Sequence, residues 1–370
     1  MSGREVIVLG GGVAGLSTAA FLAREEGVRV TLVEREARHD AHSTGRSAEI
    51  LRVAVDDPVT RALALDSAAA LEAPATAGLD AGPLVERTGL AVLTDGEPPW
   101  AEDLEARGVS VRRDLAFLSE RAPHAASEGA RVHWLAGGGR IRGQHLVASL
   151  ARSARRSGAT LLRSAGPAEA LTADGRAFGV RLAGGRTLEA DDVVVAAGAW
   201  SGPIARGLGL DLPLRTTRRH MFLTDADPGG PAAPPVVWDD AAGVYLRREG
   251  RRWGLSVCDV LDGGVDPVDY SVDPAVLERA VEAVRRWIPG PEGTLGIAHG
   301  WSGLRDLTPD DRPILGPDPR MPGLHWCCGL GGHGMTLSLG VGRAAAAAVL
   351  GRPHPHAERC QVGRFESVPA

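Results

Sequence analysis

The sequence predicts an α/β protein that opens on a strand–helix–strand unit, and three features of the first fifty residues predict it. A β-branched run, Glu5–Gly10, ends in a glycine turn; a helical pattern through Leu16, Ala19, Ala20 and Leu22 follows at once; and a second β-rich run, Val28–Glu34, closes on an acid. In that setting Gly10-x-Gly12-x-x-Gly15 reads as the dinucleotide fingerprint of a Rossmann-type unit, because each glycine has a mechanical task. Gly10 makes the tight turn, Gly12 lets backbone approach a pyrophosphate, and Gly15 lets the helix pack closely on the sheet. Val13 and Ala14 start the helix, where free N–H groups and the positive end of the dipole meet phosphate. Glu34, followed by Arg35, ends the second strand, where a carboxylate accepts hydrogen bonds from both ribose hydroxyls and repels a 2′-phosphate.

The fingerprint alone serves FAD and NAD equally, and two further segments bear on the choice. His42-Ser43-Thr44-Gly45-Arg46-Ser47-Ala48-Glu49 gathers small hydroxyl residues around one arginine, a composition suited to phosphate and ribityl oxygens or to a polar surface loop. Asp191–Trp200 reads as a strand that becomes a glycine turn, with Ala197, Gly198 and Trp200 at the turn; taken alone it is an ordinary buried strand.

The 370 residues, 44% of them hydrophobic, suffice for two domains with substantial cores. A net charge of −5 offers no basic surface for nucleic acid. All 41 Lys+Arg residues are arginines, which excludes a lysine Schiff-base mechanism. Cysteines 258, 327, 328 and 360 form no CxxC pair and suit a reducing compartment. No metal site is expected. The apolar start is too short for a signal peptide and no stretch reaches the ~20 apolar residues of a membrane span, so the reading predicts a cytoplasmic protein.

Three C-terminal motifs join the earlier ones: Gly303-Leu-Arg305, Thr308–Gly316 and Gly329–Met335. Together, over nearly the whole chain, they resemble the D-amino-acid oxidase superfamily of flavoproteins, which includes glycine oxidase, sarcosine oxidase and D-arginine dehydrogenase; His42–Ser47 is most similar to the last. The resemblance implies non-covalent FAD and a discontinuous FAD-binding domain (1–50, 140–215 and 298–370). It implies a substrate domain (51–139 and 216–297) interleaved with it on a large antiparallel sheet. The implied reaction is oxidation of the C–N bond of an amino acid or N-substituted amino acid by hydride transfer to flavin N5, with O2 or a quinone as electron acceptor. The residue pattern agrees: Val236–Val260 alternates like sheet, with turns at Ala241–Gly243 and at Glu249 and Gly250, while Leu146–Gly158 and Val276–Trp287 carry helical periods.

Residue by residue, the resemblance carries flavin contact to Gly303, Gly331, Gly332, His333, Gly334 and Met335. The last of these begin a run of helix formers to Leu350, so their N–H groups meet the negative charge that a reduced flavin acquires near N1. Arg305 takes the role of gripping the substrate carboxylate, and Tyr245 sits on the substrate face. Arg219 and His220 start a strand on that side, or a solvated basic strand end. The sequence departs from the family in three places. Ile50 and Val55 stand where D-arginine dehydrogenases have histidine and tyrosine, which disfavours a cationic substrate. Gly303 stands where sarcosine oxidase has its flavin-linked cysteine, and Ser256 where that enzyme has an oxygen-activating lysine, leaning toward a dehydrogenase or slow oxidase. His42 matches a histidyl flavin-attachment position of dimethylglycine dehydrogenase-like enzymes, which closer relatives leave unbonded. Two other readings compete: a nicotinamide-dependent Rossmann dehydrogenase, and a flavin-binding subunit of a larger dehydrogenase.

Overall fold

The structure, a computed structural model, describes residues 3–113, 130–227, 233–288 and 295–365. The Arg4–Leu9 strand lies in the middle of a six-stranded sheet ordered 314–317, 324–328, 192–195, 4–9, 28–33, 160–162. All neighbours are parallel except the edge strand Ile314–Pro317, which runs antiparallel to Leu324–Cys328. Val8 pairs with Leu32 on one side and Val194 on the other, and both faces are covered, which is why these strands read as continuous apolar runs.

The first helix, Val13–Leu22, is buried almost all round, because it is wedged between this sheet and two later helices, Gly143–Arg156 and Gly334–Val349. Small residues permit the wedge. A Cβ on Gly15 would run into the carbonyl oxygen of Gly10, and one on Gly342 would run into Ser17, so neither close approach tolerates a side chain.

The second large sheet has nine strands. Eight run in the order 261–262, 215–224, 252–256, 244–249, 236–239, 90–94, 131–135, 111–112, and Ile297–Leu307 also pairs along Arg215–Thr224. Every pairing is antiparallel except Val236–Asp239 with Leu90–Thr94, which is parallel, so the implied antiparallel sheet is in fact mixed. The expected turns are present, with Gly243 at φ 62° and Gly250 at φ 60°, the left-handed region that glycine enters without penalty. The helix Pro274–Trp287 covers one face. Asp273 caps it by accepting hydrogen bonds from the N–H groups of Ala275 and Val276 (2.9 and 3.2 Å), a contribution of about 1 kcal/mol.

Strand alternation divides the sheet's two faces. Phe222, Leu246 and Leu255 join Val276, Ala280 and Trp287 in a core beneath that helix. Met221 and Tyr245 point the other way, into the cluster that holds Val13, Ile50 and Met335. No helix among the described residues is long and apolar enough to cross a membrane.

Candidate active site

A cavity of about 1410 Å³ runs from the carboxyl ends of the parallel strands, at Leu9, Val33 and Ala196, to the Met221 and Tyr245 face of the larger sheet. A crevice at that end of a doubly wound sheet is where ligands of such folds bind. At its first end lie Gly10, Gly12, Val13, Ala14, Glu34, Arg35, Ala197, Gly198 and Trp200, as the sequence predicts. Gly10 adopts φ 112°, and Gly12 caps the first helix without a side-chain hydrogen bond, leaving the start of the helix open to the cavity. Gly15 lies behind the wall, where it seats the helix on Gly10.

Glu34 is held by backbone before any ligand arrives. Its Oε2 accepts from Gly11 N–H (2.7 Å) and its Oε1 from Glu36 N–H (2.8 Å). Burial raises its pKa, and these two hydrogen bonds pull against that. Each oxygen keeps a lone pair for ribose hydroxyls.

The His42–Ser47 loop crosses from this end toward the second sheet. Thr44 Oγ1 accepts from Val13 N–H (3.1 Å) and Ser43 Oγ donates to Leu304 O (2.8 Å). Ser47 lines the cavity, and its buried hydroxyl has no hydrogen-bond partner among the described residues. A buried hydroxyl left so is costly, and a phosphate or ribityl oxygen would satisfy it. A Cβ on Gly12 would meet only Thr44 Oγ1 among protein atoms, at 3.1 Å, and would otherwise stand in the cavity. Both observations fit a flavin dinucleotide in this crevice. Gly45 does not line it; a Cβ there would strike the Asp40 carbonyl, so this glycine shapes the loop.

His42 is fully engaged: Nδ1 meets Tyr270 Oη at 2.5 Å, Nε2 meets Glu36 Oε1 at 3.0 Å, and the ring packs on Trp200 at 4.5 Å. Tyr270, which the sequence reading missed, also lies under the Arg46 guanidinium at 3.7 Å. Gly303 leaves room for Arg46, whose Cβ would stand 3.2 Å from an added methyl.

At the second end the Gly329–Gly334 turn meets the strand that carries Arg305. Gly329, Gly331 and Gly332 adopt φ of 70°, 58° and 87°. Asp306 anchors the turn, its Oδ2 accepting from Gly329 N–H (2.6 Å) and its carbonyl from Gly331 N–H (3.0 Å). Burial pushes this carboxyl up to about 6. Arg305, its neighbour, points into the cavity beneath Gly332, where an added Cβ would lie 2.7 Å from the guanidinium carbon. The guanidinium makes no hydrogen bond or ion pair among the described residues, and desolvation lowers its pKa to about 10. His333 caps the Gly334–Val349 helix without a side-chain bond and lines the cavity with Gly331, Gly332, Gly334 and Met335. Burial and the nearby arginines push its pKa down to about 3, so the imidazole is neutral.

Tyr245 and Arg219 line the same end. Tyr245 stacks on Trp238 at 4.5 Å and 17°. Arg219 is braced by carbonyls, Nε donating to Asp259 O (2.9 Å) and Nη2 to Cys258 O (3.2 Å). His220 does not reach the cavity. It follows Arg219 on one strand and faces the helix side, where Nδ1 meets Asp259 Oδ2 at 2.7 Å and the ring stacks on Phe222; successive strand residues point to opposite faces. Arg52, between Ile50 and Val55, joins this end without having stood out in the sequence. Arg52 lines the cavity, lies 4.0 Å over the Trp238 ring and reaches Asp240 Oδ1 at 3.4 Å.

Comparison with known proteins points in one direction. The sequence profile of a family described as FAD dependent oxidoreductase (DAO) matches residues 5–348. A glycine oxidase from Pseudomonas putida is 30% identical over 347 residues, covering 90% of this chain and 91% of that protein. Among solved structures, L-proline dehydrogenase from P. horikoshii superposes with a TM-score of 0.86 at 21% identity, covering 99% of this chain and 98% of the other. Iminodiacetate oxidase from Chelativorans sp. BNC1 superposes with a TM-score of 0.77 at 26% identity, covering 96% and 98%.

Proposed function

The chain belongs to the FAD-dependent oxidoreductase family, and from that premise we propose that it oxidises the C–N bond of an amino acid or N-substituted amino acid, the imine product then hydrolysing. Bound FAD supplies a two-electron acceptor for hydride. The observation that carries the reading is Arg305: a guanidinium with no hydrogen-bond or ion-pair partner among the described residues, beneath a glycine turn at a helix N-terminus. A planar guanidinium holds a carboxylate bidentately, which fixes the α-carbon relative to the turn, and orientation supplies much of the rate enhancement.

The residues around it do complementary work. Tyr245, fixed by its stack on Trp238, offers a hydroxyl to the substrate. Apolar Met221, Ile50 and Trp238 in the wall exclude water. The positive field of Arg305 and Arg219 favours the neutral form of the substrate amine, the form that yields hydride, so no strong general base is required. The N–H groups of Gly331–Gly334 and the helix dipole behind them stabilise negative charge arriving at the cofactor edge.

The same reading assigns 1–50, 140–215 and 298–370 to cofactor binding and 51–139 and 216–297 to the substrate, with Ile297–Leu307 hydrogen-bonded into the larger sheet and so bridging the two. FAD is held without a covalent bond. Both ring nitrogens of His42 are occupied, and burial pushes the cavity thiols Cys327 and Cys328 up, the former to about 12, leaving no ready thiolate.

The test is anaerobic titration of the yellow protein with primary and secondary amino acids, followed by reoxidation in air or by a quinone to identify the acceptor. Bleaching by at least one amino acid is expected; a flavin that none of them reduces overturns the reading. Arg305→Ala lowers kcat/KM for carboxylate substrates on the order of 1000-fold with FAD retained, and an unchanged kcat/KM removes its role.

A further inference from the structure

The substrate end of the cavity gathers more guanidiniums than one carboxylate can contact. Three guanidiniums line it, those of Arg52, Arg219 and Arg305, and all three act on the same imidazole, His333. Their counter-charges are few. Arg52 has Asp240 at 3.4 Å, and Arg219 donates to the neutral carbonyls of Cys258 and Asp259, with no ion pair among the described residues. Arg305 has no ion-pair partner among the described residues. Asp56 acts on Arg52, and Asp259 on Arg305, from a distance and without an ion pair to either among the described residues; the Asp259 oxygens are taken by His220 and an Asp306 oxygen by the Gly329 N–H, and Asp306 is disposed to be protonated in mildly acidic solution. His333 is neutral and contributes no charge of its own.

Arg52 adds a second observation. Its Nε is buried with no partner among the described residues, while its guanidinium plane lies on Trp238, which in turn stacks on Tyr245. A buried guanidinium with unpaired donors is unfavourable until a further acceptor completes it. The Trp238 stack keeps its face fixed and leaves its edge to donate.

We propose, resting on the amino-acid oxidation read above, that the substrate is a dianion: an amino acid with a second carboxylate, on its side chain or on its nitrogen substituent, gripped by Arg52 and Arg219 while Arg305 holds the α-carboxylate. Two carboxylates supply direct anionic contacts to Arg219 and Arg305 and complete the one that Asp240 gives Arg52 at 3.4 Å. They also let the amine lie between cations, where its neutral form is favoured.

Two measurements on the holoenzyme test this. Malonate and succinate, against acetate and propionate, are titrated as unreactive ligands and followed by perturbation of the flavin absorption spectrum. Anaerobic flavin reduction is then compared for aspartate and glutamate (both enantiomers), iminodiacetate, glycine and sarcosine. The dianions are expected to bind and react on the order of 100-fold better than the monoanions, and Arg52→Leu to cut that preference to within about tenfold. Arg52→Gln, which keeps hydrogen-bonding capacity, serves if the leucine variant does not fold. A preference for side-chain dicarboxylates over iminodiacetate, or the reverse, locates the second carboxylate. Equal binding of dianions and monoanions, unaltered by the Arg52 substitutions, overturns the inference. Tight dianion binding without reduction by any amino acid sustains it and overturns the oxidation reading instead.

Discussion

The Gly10–Gly15 turn and the Gly329–Gly334 turn each lead into a helix whose N-terminus opens on the cavity, and the two helices lie against each other. They are held in place differently. The first turn is locked by its own backbone: Gly15 presses on the Gly10 carbonyl, and Glu34, at the end of the adjacent strand, takes the Gly11 N–H. The second is held by the other sheet, through Asp306 on the Gly329 N–H and Arg305 beneath Gly332. Because Arg305 and Asp306 are consecutive on one strand, a single strand seats both the cofactor-side turn and the substrate-side cation. The first turn is therefore a fixed cradle, whereas the second couples two regions.

Substitutions in the two turns sharpen this contrast. The largest effect is expected from Gly15→Val, whose side chain has no room against the Gly10 carbonyl. A loss of at least about 3 kcal/mol of stability and of bound FAD is expected, read by urea unfolding and visible absorbance per chain. A variant that stays yellow and stable would remove the cradle argument.

Asp306→Asn probes the second anchor through pH. Burial holds the folded carboxyl at about 6, against 3.8 for an unperturbed aspartate. The unfolded chain therefore ionises first, and this group's contribution to stability is lost as pH rises from about 4 to about 6, on the order of 3 kcal/mol. The asparagine variant lacks that loss, so its stability should gain on the parent across this window. A difference that does not vary with pH would mean that the carboxyl does not titrate there.

Gly332→Ala sets a methyl at φ 87° and 2.7 Å from the Arg305 guanidinium carbon. The guanidinium is the free end of a side chain and can swing aside, so FAD should stay while kcat/KM for carboxylate substrates falls about tenfold, with about 1 kcal/mol of backbone strain. Loss of FAD instead would show the second turn to be a cradle like the first. The smallest effect belongs to Thr44→Ala, which removes one hydrogen bond to Val13 N–H. About 1 kcal/mol, or a few-fold in FAD affinity, is expected by equilibrium dialysis, and a larger loss would make the His42–Ser47 loop a principal holder of the cofactor.

Legibility in the sequence followed the range of the interaction. Glycine spacing, the β-branched runs and Glu34 act within some thirty residues, and the first strand, helix and second strand stand where their pattern predicts. The same holds for the turns at Gly243 and Gly250. Arg219 and His220 show where that range ends. Alternation says that only one of two neighbours faces a cavity, but which one depends on the Arg219 pairing with Gly303, some eighty residues away. Arg52 carried no local signal, since one arginine after a two-residue strand resembles any other. Tyr270 was equally silent until its segment met His42.

The cofactor-binding unit was written in the chain itself, because a nucleotide turn, its helix and its terminal acid are contacts between near neighbours and follow from residue size and backbone freedom. The charge of the substrate end was set by long-range packing. Arg52, Arg219 and Arg305 come from three distant segments, and a field is the sum of groups that share a space, which strand register and sheet packing settle.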